Sequence, residues 1–147
     1  MFQKKDGCLQ VLLVHPGGPF FRNKDNGAWT IPKGEVMEGE DLLARARLEF
    51  REEIGIDPGA LKWIELGTVK QKGGKTVHAW AFEGNLPNDF AVASNTFSME
   101  WPPRSGRTHE FPEIDRAEFF SMEEAKEKIN QAQIEFLDRL AEHLNSR

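Results

Sequence analysis

The sequence predicts an α+β fold in which a mixed sheet is covered by helices. Short runs with the Leu, Val, Ile and aromatic content of strands recur at residues 9–14, 63–71, 76–82, 96–101 and 116–120. Two further segments, residues 41–54 and the stretch from Ser121 onward, instead space their apolar residues at helical intervals. Elements of both kinds bury one face each, and packing helices onto a sheet does this for both. A chain of 147 residues supports one sizeable core but not two, so a single domain over residues 1–147 is expected.

Residues 9–14 read as a buried strand, ended by His15-Pro16-Gly17-Gly18-Pro19. A polar, glycine-rich loop over 15–28 follows, carrying Phe20, Phe21, Arg22 and Lys24. Trp29-Thr30-Ile31 is a short strand that Pro32 stops. Leu43, Ala46, Phe50 and Ile54 make the apolar stripe of a helix over 41–54, and Gly55 supplies its C-terminal stop. Residues 63–71 and 76–82 flank Lys72-Gly73-Gly74-Lys75, a hairpin signal. Along 96–101, Phe97, Met99 and Trp101 alternate with Ser98 and Glu100, as in a half-buried strand, until Pro102-Pro103. After a last short strand at 116–120, Ser121 and Glu124 form a capping box. One helical stripe then runs to the C-terminus through Ile134, Leu137, Leu140, Ala141 and Leu144.

Composition narrows the function classes. With 39% hydrophobic and 29% charged residues, the chain has the balance of a globular protein rather than a disordered one. Its longest uninterrupted apolar runs, such as residues 11–14, are only four residues, too short to span a bilayer, so no membrane partner is expected. Met1-Phe2-Gln3-Lys4-Lys5-Asp6 does not lead into a signal-peptide pattern. Cys8 is the only cysteine, which excludes an internal disulfide and a cysteine-based zinc cluster; a cytoplasmic location is the expectation. A net charge of −5 argues against a general nucleic-acid binder.

The acids concentrate in one helix. Glu49, Glu52 and Glu53 stand at i, i+3 and i+4, so their carboxylates point to one side and repel one another. A hard divalent cation such as Mg²⁺, which takes oxygen ligands, relieves that repulsion. The alternative is a solvated acidic face with Arg45 and Arg51 as ion-pair partners. A Pro-Lys-Gly turn before the helix and a glycine straight after it favour the metal reading.

Gly34, Glu40 after five intervening residues, and Glu49-Phe50-Arg51-Glu52-Glu53-Ile54-Gly55-Ile56 resemble the signature box of the Nudix hydrolases. Every specified position of that box, residues 34–56, matches except one: Leu48 stands where the family has arginine. The resemblance implies the Nudix fold, a mixed β-sheet sandwiched between helices (an α/β/α sandwich). It also implies Mg²⁺- or Mn²⁺-dependent hydrolysis of a nucleoside diphosphate linked to another group. On this resemblance Glu49, Glu52 and Glu53, with the main-chain carbonyl of Lys33, hold the metal, which polarises a phosphoryl oxygen and activates a water. Glu49 is one candidate to take that water's proton. Glu113, shortly before the last strand, is the other, with Glu100 as a weaker rival. The missing arginine is read in the family as a scaffold for a box glutamate. Arg45, one turn before Glu49, and Arg47, beside Leu48, are the candidate substitutes, and Arg45 is preferred because residues four apart face each other on a helix and adjacent ones do not.

Trp29-Thr30-Ile31-Pro32-Lys33-Gly34 is similar to the Trp-x-x-Pro-Lys-Gly approach of dinucleoside polyphosphate hydrolases and diphosphoinositol polyphosphate phosphohydrolases. A dinucleoside polyphosphate is therefore the expected substrate, and a nucleotide sugar or damaged nucleotide the alternative. A non-catalytic nucleotide sensor of the same fold is the reading from another class. Lys33 would meet the nearer phosphates, and Arg104 with Arg107 the farther ones. Phe20, Phe21, Trp29 and Trp101 are the aromatic side chains available to stack on a base, in a chain without tyrosine. His15, His78, His109 and His143 lack any ligand spacing and are assigned structural or surface roles.

Overall fold

The computed structural model describes residues 1–32, 39, 41–58, 62–87 and 90–145. The chain opens with β1 (Phe2–Lys5) and β2 (Cys8–Pro16), an antiparallel pair in which Phe2 faces Val11. On its other edge β2 pairs antiparallel with β7 (Ile114–Ser121), Leu12 opposite Phe119 and Val14 opposite Ala117. The hairpin β3 (Ile64–Lys70) and β4 (Thr76–Ala81) follows the pattern expected of it, turning through Lys72–Gly74. A second hairpin joins β5 (Thr96–Glu100) to β6 (Thr108–Pro112).

The ladders are antiparallel, and among the described residues the parallel component is two isolated bridges, Trp29 with Ile129 and Phe2 with Glu83. There Phe2 N–H donates to the Phe82 carbonyl and Gly84 N–H to the Phe2 carbonyl, both at 2.9 Å, which hangs the end of β4 on β1.

Alternation along the strands sorts the core into two faces. Leu12, Val14 and Phe82 point to the side of α1 (Leu42–Ile54), where they meet Phe50 and Ile54. Val11, Leu13 and Ala81 point the other way, onto Ala125 of α2 (Met122–Lys128) and Leu137 and Leu140 of α3 (Ile134–Asn145). The result is the expected sandwich, one helix on one face and two on the other.

Both ends of α1 are set by local chemistry. Asp41 accepts hydrogen bonds from the amides of Leu43 (3.0 Å) and Ala44 (3.4 Å); such a cap stabilises a helix by about 0.5–2 kcal/mol. Gly55 ends it with φ 89°, the left-handed turn that a side chain disfavours.

Three expectations need correction. Trp29 and Thr30 form only single bridges, to Ile129 and Val14, rather than a strand. The C-terminal stretch is two helices: Ile129 N–H closes α2 onto the Ala125 carbonyl, and the Asn130 side chain accepts from Ala132 N–H to begin a new turn. The segment after Pro103 is strand as well as loop, since β6 returns alongside β5 and β7 begins two residues before 116. No helix among the described residues is long and apolar enough to cross a membrane.

Candidate functional site

Burying Phe50 and Ile54 under the sheet fixes which way the acids of α1 face. Glu49 and Glu53, each next to a core residue of the stripe, are carried to its margin and are only 8% exposed. Glu52 is half-buried and Arg51 exposed. A fully solvated acidic face would leave its carboxylates in water, whereas two of these are buried.

Arg45 stands where the helical spacing puts it. Its Nη2 lies 2.5 Å from Glu49 Oε1, with side chains 28% and 11% exposed.

The donor set, carboxylate oxygens on a shielded helix face, has the chemistry that a hard divalent cation takes. Among the described residues, however, no three acidic, histidine or cysteine side chains converge on one point. The carboxylate of Glu49 is turned to Arg45 instead. Lys33, Gly34 and Glu40 lie outside the described residues.

A cavity of about 600 Å³ opens beside this helix. Arg45 and Glu49 of α1 line it together with Trp63, His78 and Trp80 of the hairpin region, and Leu13 and Leu137 contribute to an apolar lining. Its volume lies within the range of roughly 300–1,000 Å³ usual for small-molecule sites.

Glu113 occupies the bend between β6 and β7 and is exposed. Its backbone is pinned on both sides: its N–H donates to the Asn95 carbonyl and its carbonyl accepts from Gly17 N–H, both at 2.8 Å. Only glycine fits at 17, because a Cβ there would lie 2.0 Å from the Pro112 oxygen. Ser94 Oγ accepts from Ile114 N–H at 3.1 Å, and Ala93 packs against Gly55. Residues 93–95 therefore tie the bend of Glu113 to the C-terminal end of α1.

The other expected residues are scattered. Arg104 and Arg107 are exposed at the turn of the β5–β6 hairpin and do not line the cavity. Glu100 closes that turn by accepting Arg104 N–H at 2.6 Å. Trp29 is a correction: it is 1% exposed and offers no face to a base. His15 and Phe120 meet its ring edge-on, Arg116 lies over it at 5.0 Å, and its Nε1–H donates to Asp25 at 2.8 Å. Hydrogen bonds from Lys128 and Trp29 hold the Asp25 carboxyl below the usual value of 3.8. Of the remaining aromatic candidates, Phe20 is 60% exposed and packs edge-on against Trp101.

His15 has the structural role expected, fully buried between Asp115 (2.8 Å) and the Lys24 carbonyl (2.7 Å). His78 and Trp80 were missed as wall residues. Their i, i+2 spacing in a strand was the available signal, since it puts both on one face.

The NUDIX domain profile matches residues 1–140. The chain is 40% identical to the RNA pyrophosphohydrolase of Roseobacter denitrificans over 55 residues, 35% of this chain and 34% of that protein. It is 45% identical to the asymmetrical bis(5'-nucleosyl)-tetraphosphatase of Sus scrofa over 60 residues, 37% of this chain and 41% of that protein. The matched regions thus cover between a third and just over two fifths of these relatives. A binary complex of a C. elegans Ap4A hydrolase superposes with a TM-score of 0.69, covering 99% of this chain and 95% of that one at 22% identity, a likeness of fold.

Proposed function

The chain belongs to the NUDIX domain family, and on that premise we propose that it is a divalent-metal-dependent pyrophosphohydrolase acting on a dinucleoside polyphosphate such as diadenosine tetraphosphate. The observation that carries the reading is the pair of buried carboxylates, Glu49 and Glu53, on a helix that keeps Arg45 against Glu49. The partial similarity to a tetraphosphatase supports the choice of substrate.

Glu49, Glu52 and Glu53, with the carbonyl of Lys33, would hold Mg²⁺ or Mn²⁺. Such an ion, when bound, polarises the phosphoryl oxygen and makes a water nucleophilic near neutral pH. Arg45 keeps the Glu49 carboxylate in one rotamer, so that less order has to be imposed when substrate arrives. Glu113 is assigned as the proton acceptor, since its exposed carboxylate stands on a backbone pinned near the end of α1. The side chain of Lys33 neutralises the nearer phosphates. Arg104 and Arg107, outside the cavity, are left for the farther phosphates of a long chain.

Phosphate release after phosphatase treatment, measured with Mg²⁺ across diadenosine tetraphosphate, ADP-ribose and a 5'-triphosphorylated RNA, tests the assignment. Diadenosine tetraphosphate should have the highest kcat/KM. A preference for ADP-ribose would move the protein to the nucleotide-sugar class. Preference for the RNA would replace the small-molecule substrate with a nucleic acid. The absence of turnover on any of them would leave a nucleotide-binding module.

A further inference from the structure

We propose that Ser94 is a positioning residue for the reaction: its hydroxyl fixes the bend that carries Glu113, and with it the place of the Glu113 carboxylate relative to α1. The inference rests on the assignment of Glu113 as proton acceptor and names what holds that group in position.

The bend lies where two ladders meet. β5 and β6 pair as far as Thr96 opposite Pro112, and the bond from Glu113 N–H to the Asn95 carbonyl extends that ladder by one residue. β7 then turns away to pair with β2, beginning with Ile114 opposite Pro16. Ile114 is 6% exposed, so its backbone groups need partners within the protein. Pro16 has no N–H to offer them. The Ser94 side chain takes over where the ladder gives out. Its Oγ accepts from Ile114 N–H at 3.1 Å, and its O–H has the carbonyls of Asn95 at 2.9 Å and Ile114 at 3.2 Å as acceptors. One hydroxyl thus touches both the carbonyl that receives Glu113 N–H and the residue that follows Glu113.

The other flank of the bend is held by residues 15–17. Gly17 lies against Pro112 and bonds the Glu113 carbonyl. The β2–β7 register slips between His15 and Pro16, so Asp115 bulges from the ladder, and His15 holds its side chain at 2.8 Å. Bulges of this kind re-aim the residues beside them. The Glu113 side chain, by contrast, makes no hydrogen bond or ion pair among the described residues. A backbone fixed on both flanks of an unengaged carboxylate places that carboxylate without tying it down.

The Ser94 strap is itself seated on α1. Ala93 packs against Gly55, two residues past Glu53, and Phe90 and Val92 join the core cluster of Phe50 and Ile54. The bend and the acidic helix therefore share one frame. Proton transfer needs the base within hydrogen-bond reach, and a misplacement of about 1 Å costs up to about a hundredfold in rate.

The test is a double-mutant cycle between Ser94 and Glu113 in the full chain with Mg²⁺, on whichever substrate of the panel above is turned over fastest. Ser94 is half-buried, so alanine leaves no sizeable cavity and the circular dichroism spectrum should be unchanged. Ser94→Ala should lower kcat about ten- to a hundredfold with KM within about twofold of wild type. Ser94→Thr keeps the hydroxyl and should return kcat to within about threefold. Added to Glu113→Gln, Ser94→Ala should cost less than about twofold more, because the group it positions is already gone. Losses that multiply in the double variant would overturn the proposal and leave Ser94 a residue of the fold alone. A fast Ser94→Ala beside a slow Glu113→Gln would overturn it too, with the proton acceptor upheld. If Glu113→Gln is itself as fast as wild type, the assignment of the acceptor fails and the proposal with it. A protein that turns over no member of the panel overturns the functional reading and the proposal together.

Discussion

The two faces of the sheet treat their buried polar groups in opposite ways. On the α2/α3 face each is paired at both ends. His15 bridges Asp115 and the Lys24 carbonyl, while fully buried Gln133 accepts from Ile31 N–H at 3.1 Å and donates to Gln71 at 2.9 Å. On the α1 face Glu49 is paired with Arg45, but the two orphaned ring nitrogens among the described residues, Trp63 Nε1 and His78 Nε2, belong there. A fold that can satisfy its interior on one side has the means to do so on the other. Unsatisfied polar groups gathered on one face therefore mark where stability yields to ligand binding. The division predicts that substitutions on the α1 face act on activity, and those on the α2/α3 face on stability.

The largest effect should come from Glu53→Gln. The change keeps shape and helix propensity but removes a charged donor from the buried face, so Mg²⁺-dependent kcat should fall by more than about a hundredfold. The fold should persist, as an unchanged circular dichroism spectrum would show. Calorimetric Mg²⁺ binding equal to the wild type, with activity within a few-fold, would show that α1 is not the metal-binding element.

Gln133→Leu is the counterpart on the other face. It leaves Ile31 N–H and the Gln71 side chain unpaired in the interior, at roughly 1–3 kcal/mol each. Urea unfolding should show a loss of about 2–4 kcal/mol, with kcat at a temperature where the variant is folded within about threefold of wild type. A variant that keeps its stability and loses its activity would contradict the division between the faces.

Much of this division was legible before the structure. The limits of α1 follow from Asp41 and Gly55, and the pairing of Arg45 with Glu49 from helical spacing and the gap at Leu48. What escaped was decided by distant parts of the chain. β1 carries one buried side chain, Phe2, followed by Gln3, Lys4 and Lys5, so it has no pattern of its own and exists by pairing with β2. β6, Thr-His-Glu-Phe-Pro, is nearly all exposed and is held by β5. Trp29 could not be told from a stacking platform, because the rings and charges that enclose it come from His15, Arg116 and Phe120. The cavity wall was hidden for the same reason, being formed where β4 meets a helix some thirty residues earlier.

Arg45→Ala should have an intermediate effect. A hydrogen bond between charged groups contributes about 1.5–3 kcal/mol when shielded and less as water screens it. With Arg45 28% exposed, a loss of about tenfold in kcat/KM is expected. Adding Leu48→Arg should restore part of it. An unchanged rate in the single variant would mean that Glu49 needs no anchor and that Leu48 is simply tolerated.

The smallest effect belongs to an exposed charge on the settled face. Asp25 accepts from Lys128 Nζ at 2.5 Å and from Trp29 Nε1 at 2.8 Å, and these bonds lower its folded pKa beneath 3.8. The unfolded chain therefore binds the proton more readily, and stability rises with pH across that interval. The contribution is fully present well above 3.8, begins to fade as pH falls through that value, and is gone below the lowered folded value. Asn at this position can still accept from the indole but carries no charge for Lys128. The gap in urea midpoint between wild type and Asp25→Asn should thus be small and constant from neutral pH to about 5, then close on further acidification, with kcat untouched throughout. A gap that stays constant to pH 3 would mean that the charge of Asp25 adds nothing to the fold. A change in kcat would mean that the enclosure of Trp29 reaches the catalytic face after all.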